Sequence, residues 1–219
     1  MKRLFPFALA VVVLMGLHAC HRTDVRKVAK IIAEQPADTT DYVRHTEKLA
    51  PFSSLLVDCF ADVTYTQTGG DDCRIEILAP QQTLPFVETS VRDGQLEVTL
   101  NRRHTLPKGR LIVIKVFAPT VTEFELNCGK CLRLGRLSAS VPVDLELSGV
   151  GAITCESLHT PRLRATLNGA GNIDLSDIQT ADLHTQLNGT GRIVLAGRAA
   201  HQKVSIQGEG EVDTSQLSR

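Results

Sequence analysis

The sequence predicts an all-β fold, a parallel β-solenoid of roughly 20-residue, two-strand coils that follows a β-rich N-terminal part. Three observations predict it. A glycine motif recurs five times at nearly constant spacing from Leu126 onward, apolar residues fall into rows with the same period, and aromatic residues make up only 4% of the chain. A core with so few rings, and no Trp at all, must be filled by Leu, Ile, Val and Ala in regular layers. Stacked coils provide such layers.

The chain opens on an export signal. Lys2 and Arg3 precede an apolar run from Leu4 to Leu17 that is short for a membrane span but suits the h-region of a signal peptide. The run meets Leu17-His18-Ala19-Cys20, a tetrapeptide that resembles a bacterial lipobox, in which the cysteine is acylated and becomes the mature N-terminus. Residues 1–19 are therefore expected to be a lipoprotein signal peptide and Cys20 the lipid anchor. A plain secretory signal with an incidental cysteine is the alternative; both imply export. The expected location is the outer membrane, with a periplasmic or surface-facing orientation left open.

Removing residues 1–19 leaves 22 basic and 24 acidic side chains, a formal charge of −2. A nucleic-acid partner calls for a basic excess or cluster, and Arg102-Arg103-His104 is the nearest approach to one. No nucleic-acid partner is expected. The five cysteines beyond Cys20 are an odd number, so a fully paired disulfide framework is excluded.

Residues 20–48 are expected to be a tether, with a weakly amphipathic stretch from Val25 to Ala33 and a break at residues 35–40. Residues 49–219 then form one solenoid domain. Its first strands are Leu55 to Asp58, Ala61 to Gln67 and Cys73 to Leu78, the last two joined by a hairpin-like turn at Thr68-Gly69-Gly70-Asp71-Asp72. Leu84 to Val91 is ambiguous, Asp93-Gly94 marks a turn before the strand Gln95 to Leu100, and Arg110 to Phe117 is a strongly apolar strand.

The repeat proper reads LNCGKCL from Leu126, LSGVGAI from Leu147, LNGAGNI from Leu167, LNGTGRI from Leu187 and IQGEGEV from Ile206, with offsets of 21, 20, 20 and 19 residues. The turn glycines are Gly149, Gly151, Gly169, Gly171, Gly189, Gly191, Gly208 and Gly210. Glycine at these places is expected to supply backbone angles that a Cβ opposes. Alignment of the copies makes four inward rows. They are Leu132/Ile153/Ile173/Ile193/Val212, Leu134/Cys155/Leu175/Leu195/Thr214, Leu126/Leu147/Leu167/Leu187/Ile206, and Leu137/Leu158/Ile178/Leu217 with Arg198 interrupting. Polar residues alternate between them, as strands require.

Few residues carry a chemical signal. Cys128-Gly129-Lys130-Cys131 has the spacing of a metal or redox dithiol, but no second ligand pair and no βαβ context accompany it; a local disulfide or structural thiols are the readings left. The Asn127, Asn168 and Asn188 row suits a stacked amide ladder, with ligand binding as the alternative. None of the Gly-x-Gly turns completes a nucleotide motif. Outward charges form two mixed rows, Asp144/Arg164/His184/Lys203 and Thr154/Asp174/Val194/Asp213. Asp174 and Asp213 lie two coils apart, about 10 Å at the strand spacing, which is loose for a catalytic pair. No catalytic residue, metal ligand or cofactor is expected.

Taken in order, the lipobox, Phe52-Ser53-Ser54-Leu55-Leu56-Val57, Ala61-Asp62-Val63-Thr64-Tyr65-Thr66-Gln67, Asp93-Gly94-Gln95-Leu96 and the serial glycine turns resemble the head GIN domain family of putative auto-transporter adhesins, over about residues 48–217. The resemblance implies a right-handed β-helical fold and a role in adhesion without catalytic residues. The first turn, Cys128-Gly129-Lys130, departs from its Gly-x-Gly pattern. The expected function is thus a non-enzymatic, lipid-anchored envelope protein that binds a surface glycan or protein. The alternatives are a carbohydrate-active enzyme on the same scaffold and a structural module that self-associates.

Overall fold

A computed structural model describes residues 40–127 and 129–219. Its elements are β1 (Tyr42–Lys48), β2 (Ser54–Asp58), β3 (Ala61–Gln67), β4 (Arg74–Pro80), β5 (Val87–Arg92), β6 (Gln95–Leu100) and β7 (Ile112–Ala118). There follow β8 (Glu123–Leu126), β9 (Cys131–Ser138), β10 (Val143–Leu147), β11 (Val150–Leu167), β12 (Ala170–Asn188), β13 (Thr190–Gln207) and β14 (Gly210–Ser218). One 3-10 turn, Leu84–Phe86, is the only helical element among the described residues.

All fourteen strands belong to one curled sheet, a β-solenoid. The two short strands expected per coil are in fact joined in β11, β12 and β13, each 18 or 19 residues long and running through a corner. Two walls result. The first holds β6, β2, β8 and β10 followed by the second halves of β11, β12 and β13, all parallel. The second holds β7, β3 and β9 followed by the first halves of the same long strands and then β14.

Spatial order departs from chain order at the N-terminal end. The β6/β7 coil lies outside the β2/β3 coil, because β2 takes β6 on one edge and β8 on the other, while β3 takes β7 and β9. The chain must then cross back from β7 to β8, and Tyr65 fastens that crossing. Its hydroxyl donates to the Ala118 carbonyl at 2.9 Å and accepts from the Val121 amide at 3.3 Å, with its ring edge-on to Phe124. Burial pushes this phenol up to about 12.

This order also corrects the hairpin expected at residues 68–72. Both edges of β3 are occupied by parallel partners, so β4 cannot pair with it and instead runs antiparallel to β7. The hairpin that does form is β5/β6, across Asp93 at φ 51° and Gly94 at φ 78°, a two-residue turn whose positive angles match the strand twist. Residues 42–48, read in the sequence as the end of the tether, form β1 antiparallel to β4. The folded domain therefore begins earlier than Leu49. Together β5, β4 and β1 cap the N-terminal end of the stack with antiparallel strands.

Among the described residues the opposite end is open. β14 pairs only with the first half of β13, leaving Val204 and Ile206 of the second half 41% and 47% exposed.

Two of the predicted rows are complete, and a third pairs Leu134, Cys155, Leu175 and Leu195 but not Thr214, where the register of β13 and β14 shifts. Leu132, Ile153, Ile173, Ile193 and Val212 are successive cross-strand partners, as are Leu126, Leu147, Leu167, Leu187 and Ile206. The fourth row needs correction: Gly197, not Arg198, stands between Ile178 and Leu217. The corner after Leu195 is one residue shorter than the one after Leu175, which shifts the register and leaves Arg198 exposed opposite Gln179. Gly197 fits because its φ is 123° and a Cβ would strike the backbone of Ile178.

The same register corrects the reason for the turn glycines. Backbone angle is not shared by all of them: Gly169, Gly171, Gly191 and Gly210 do not have positive φ. Contact between coils is the commoner demand. A Cβ at Gly171 would overlap the Gly151 carbonyl oxygen, and one at Gly191 the Gly171 carbonyl oxygen, so each turn rests directly on the backbone of the last.

One buried hydroxyl lacks a partner. Thr185 is 2% exposed between Ala165 and Val204, and its Oγ1 makes no hydrogen bond among the described residues. An unpaired buried hydroxyl costs stability, and valine has nearly the same shape. Thr185→Val is expected to raise the unfolding free energy by about 1 kcal/mol, read as a higher denaturant midpoint with an unchanged m-value. A lower midpoint would show that the hydroxyl is satisfied.

Candidate functional site

The first wall presents two long outward rows. Along its outside, Glu123, Asp144, Arg164, His184 and Lys203 are successive cross-strand partners on β8, β10, β11, β12 and β13. The next outward row, two residues along each strand, is Glu125, Glu146, Thr166, Gln186 and Ser205. The wall is therefore polarised: acidic toward the capped end, basic and neutral-polar toward the open end.

A third row closes the wall at the turns. Asn188 Nδ2 donates to Asn168 Oδ1, and Asn168 Nδ2 donates to Glu146 Oε1, each at 2.7 Å; Ser148 Oγ donates to the same Glu146 oxygen. Asn168 and Asn188 thus form a short part of the amide ladder that the repeat suggested, ending on Glu146; Asn127 is not joined to it, and Asn188 Oδ1 has no partner among the described residues.

The second wall brings together less. Asp174 and Asp213 are separated by Val194 on the intervening strand. Asp213 is instead engaged locally: the Ser215 hydroxyl and amide donate to it, as does Arg192, and these bonds hold its carboxyl below the usual carboxylate range. His159, His184 and His201 face Gln179, Arg164/Lys203 and Asp182 respectively, in different registers. No group of three metal-ligating side chains occurs among the described residues.

Cys20 and Cys128 lie outside the described residues, so the lipid anchor and the Cys128–Cys131 disulfide remain expectations. Cys131 itself is buried, and burial pushes its thiol up. Cys155 occupies the Leu134/Leu175 row, as its spacing suggested, with Sγ directed at the Ser157 and Gly135 carbonyls. Burial pushes its thiol up to about 12, so at neutral pH it is a protonated core side chain.

Sequence reasoning treated the outward charges as isolated. It missed that Arg164, His184 and Lys203 bound one depression with Gln186 and Ser205. The signal was available in the alignment, since all three belong to one row. Neighbouring coils had to be laid side by side to reveal the recess.

Solved structures share the architecture. A putative lipid binding protein from Parabacteroides distasonis matches with a TM-score of 0.73 and 17% identity, over 81% of this chain and 75% of that one. A putative adhesin from Bacteroides fragilis matches with a TM-score of 0.61 and 13% identity, over 80% of this chain and 97% of that one. A second Parabacteroides distasonis protein, a putative adhesin, matches with a TM-score of 0.50 and 16% identity, over 81% and 98%. At such identities the likeness is one of fold. No curated protein matches the chain. The family model described as "Putative auto-transporter adhesin, head GIN domain" matches residues 51–219, from just before β2 to the end of the chain, and the protein belongs to that family.

Proposed function

We propose that this protein is a non-enzymatic, lipid-anchored component of the bacterial cell envelope that holds a surface glycan or protein partner on the outside of its solenoid. The observation that carries this reading is the first wall. Seven parallel strands present polar side chains in straight rows, a surface built for repeated contacts with an extended partner. Membership of an adhesin-head family supports the same reading.

Topology adds an orientation. β1 is the outermost strand at the capped end, so a tether from Cys20 meets the domain there. The basic end of the first wall then lies at the far end of the stack, away from the anchor. Lipidation at Cys20 rests on the lipobox resemblance.

Binding of the purified full chain to a glycan array and to intact cells tests the proposal. Binding above that of a variant whose outward first-wall residues are shuffled supports it. Equal signals from the two proteins, or none from either, would refute it.

A further inference from the structure

The open end of the first wall carries a recess of about 230 Å³ bounded by Arg164, His184, Lys203, Gln186 and Ser205, with Thr185 on the strand between. We infer that this recess is a subsite for an acidic sugar segment, bearing carboxylate or sulfate groups, of the glycan that the proposed function places on this wall.

Charge comes first. Arg164, His184 and Lys203 are exposed and in strict register on three adjacent parallel strands. Neither His184 nor Lys203 makes an ion pair with another described residue. Arg164 Nε lies 3.5 Å from Asp144 Oδ1, and both side chains are more than half exposed. Such a pair is weak enough for a ligand anion to compete with it. The acid nearest the row on its other side, Asp182, is already shared between Arg162 at 3.9 Å and His201 at 3.5 Å.

Spacing and neighbours then narrow the ligand. Parallel strands repeat at about 4.8 Å, so the row spans about 10 Å from Arg164 to Lys203. Two cations that far apart, with the His184 imidazole between them as a hydrogen-bond partner, suit anionic groups repeated along an extended chain. Gln186 and Ser205 stand one row away, where an amide and a hydroxyl can meet sugar hydroxyls while the cations meet the acids.

The rest of the wall argues for a short footprint. Glu123, Glu125, Asp144 and Glu146 occupy the same face immediately beyond Arg164. A uniformly anionic surface laid along the whole wall, such as a membrane, would be repelled there. A short acidic segment held at the open end is not. The acidic half of a second copy of this chain is the competing occupant, and the test separates it.

The probes are cellotriose, its C6-oxidised triuronate and a sulfated cellotriose, titrated against the purified full chain in mild detergent at low and high salt. The triuronate, the sulfated trisaccharide or both are expected to bind, with affinity falling as salt rises, and cellotriose at least about tenfold more weakly. Which acidic arm binds identifies the anion. Lys203→Glu is expected to weaken that binding about tenfold and Arg164→Glu/Lys203→Glu to abolish it, while Lys203→Arg retains it. Arg198→Glu, exposed elsewhere on β13, should stay within about twofold of the parent.

All these side chains are exposed, and unchanged circular dichroism would confirm that the variants fold. Equal affinity for the neutral and acidic trisaccharides, or equal affinity in Lys203→Glu, overturns the subsite. So does salt-sensitive dimerisation in light scattering that Lys203→Glu removes while no trisaccharide binds. If none of the trisaccharides binds but the glycan array or cells still give a signal, the proposed function stands and this subsite fails; silence in every assay overturns both.

Discussion

Gly189→Ala is expected to lower the unfolding free energy by about 3 kcal/mol. Two penalties coincide at that position. Its φ is 155°, where an L side chain is strained, and the added Cβ would collide with the carbonyl oxygen of Gly169 in the coil beneath. Relief requires the coils to separate, which stretches the parallel hydrogen bonds between β11 and β12 before the turn and between β12 and β13 after it. Gly135→Ala is the matched control: a Cβ there meets nothing within 4 Å, and the backbone does not have positive φ. That substitution should stay within about 0.5 kcal/mol of the parent. Denaturant unfolding of the two variants measures the contrast, and equal midpoints would remove inter-coil contact as the reason for the repeat.

Leu167→Ala is expected to cost about 3 kcal/mol. Leu167 is fully buried, with Leu147 on one side of it in the row and Leu187 on the other. Truncation leaves a cavity that stacked backbones cannot collapse to fill, and buried Leu→Ala changes cost about 2–5 kcal/mol. The same row provides its control at the open end. Ile206 is 47% exposed, so Ile206→Ala should cost about 1 kcal/mol or less. A comparable loss at both positions would mean that another element covers the open end in solution.

These two substitutions mark what was legible in the sequence. The long rows could be read directly because each coil repeats the last, so aligning the chain with itself is equivalent to stacking it. Leu167 was assignable to the core on spacing alone. Gly189 was assignable to a turn, but not to its contact with Gly169, since a backbone clash between coils leaves no residue-type signal beyond glycine itself.

The N-terminal half was less legible because its order in space is not its order in sequence. Nothing in residues 54–118 announces that β6 and β7 pass outside β2 and β3, and the turn-rich residues 68–72 look like a hairpin loop whichever strand β4 joins. Gly197 was missed for a related reason. A one-residue shortening at the preceding corner moves every later partner by one, as the pairings from Ile178 with Gly197 onward show. The face was legible in its residues but not in its shape. Arg164, His184 and Lys203 could be aligned, whereas their recess depends on how the side chains of three strands stand together.

On the proposed function, the first wall retains a ligand without transforming it. Its most direct test is to pass a panel of envelope polysaccharides and extracellular glycans over the immobilised full chain and weigh what is retained and what flows through by mass spectrometry. A retained acidic glycan whose chain length is unchanged after prolonged contact is the expected result. Shortened or unsaturated fragments in the flow-through would contradict it and mark the protein as an enzyme.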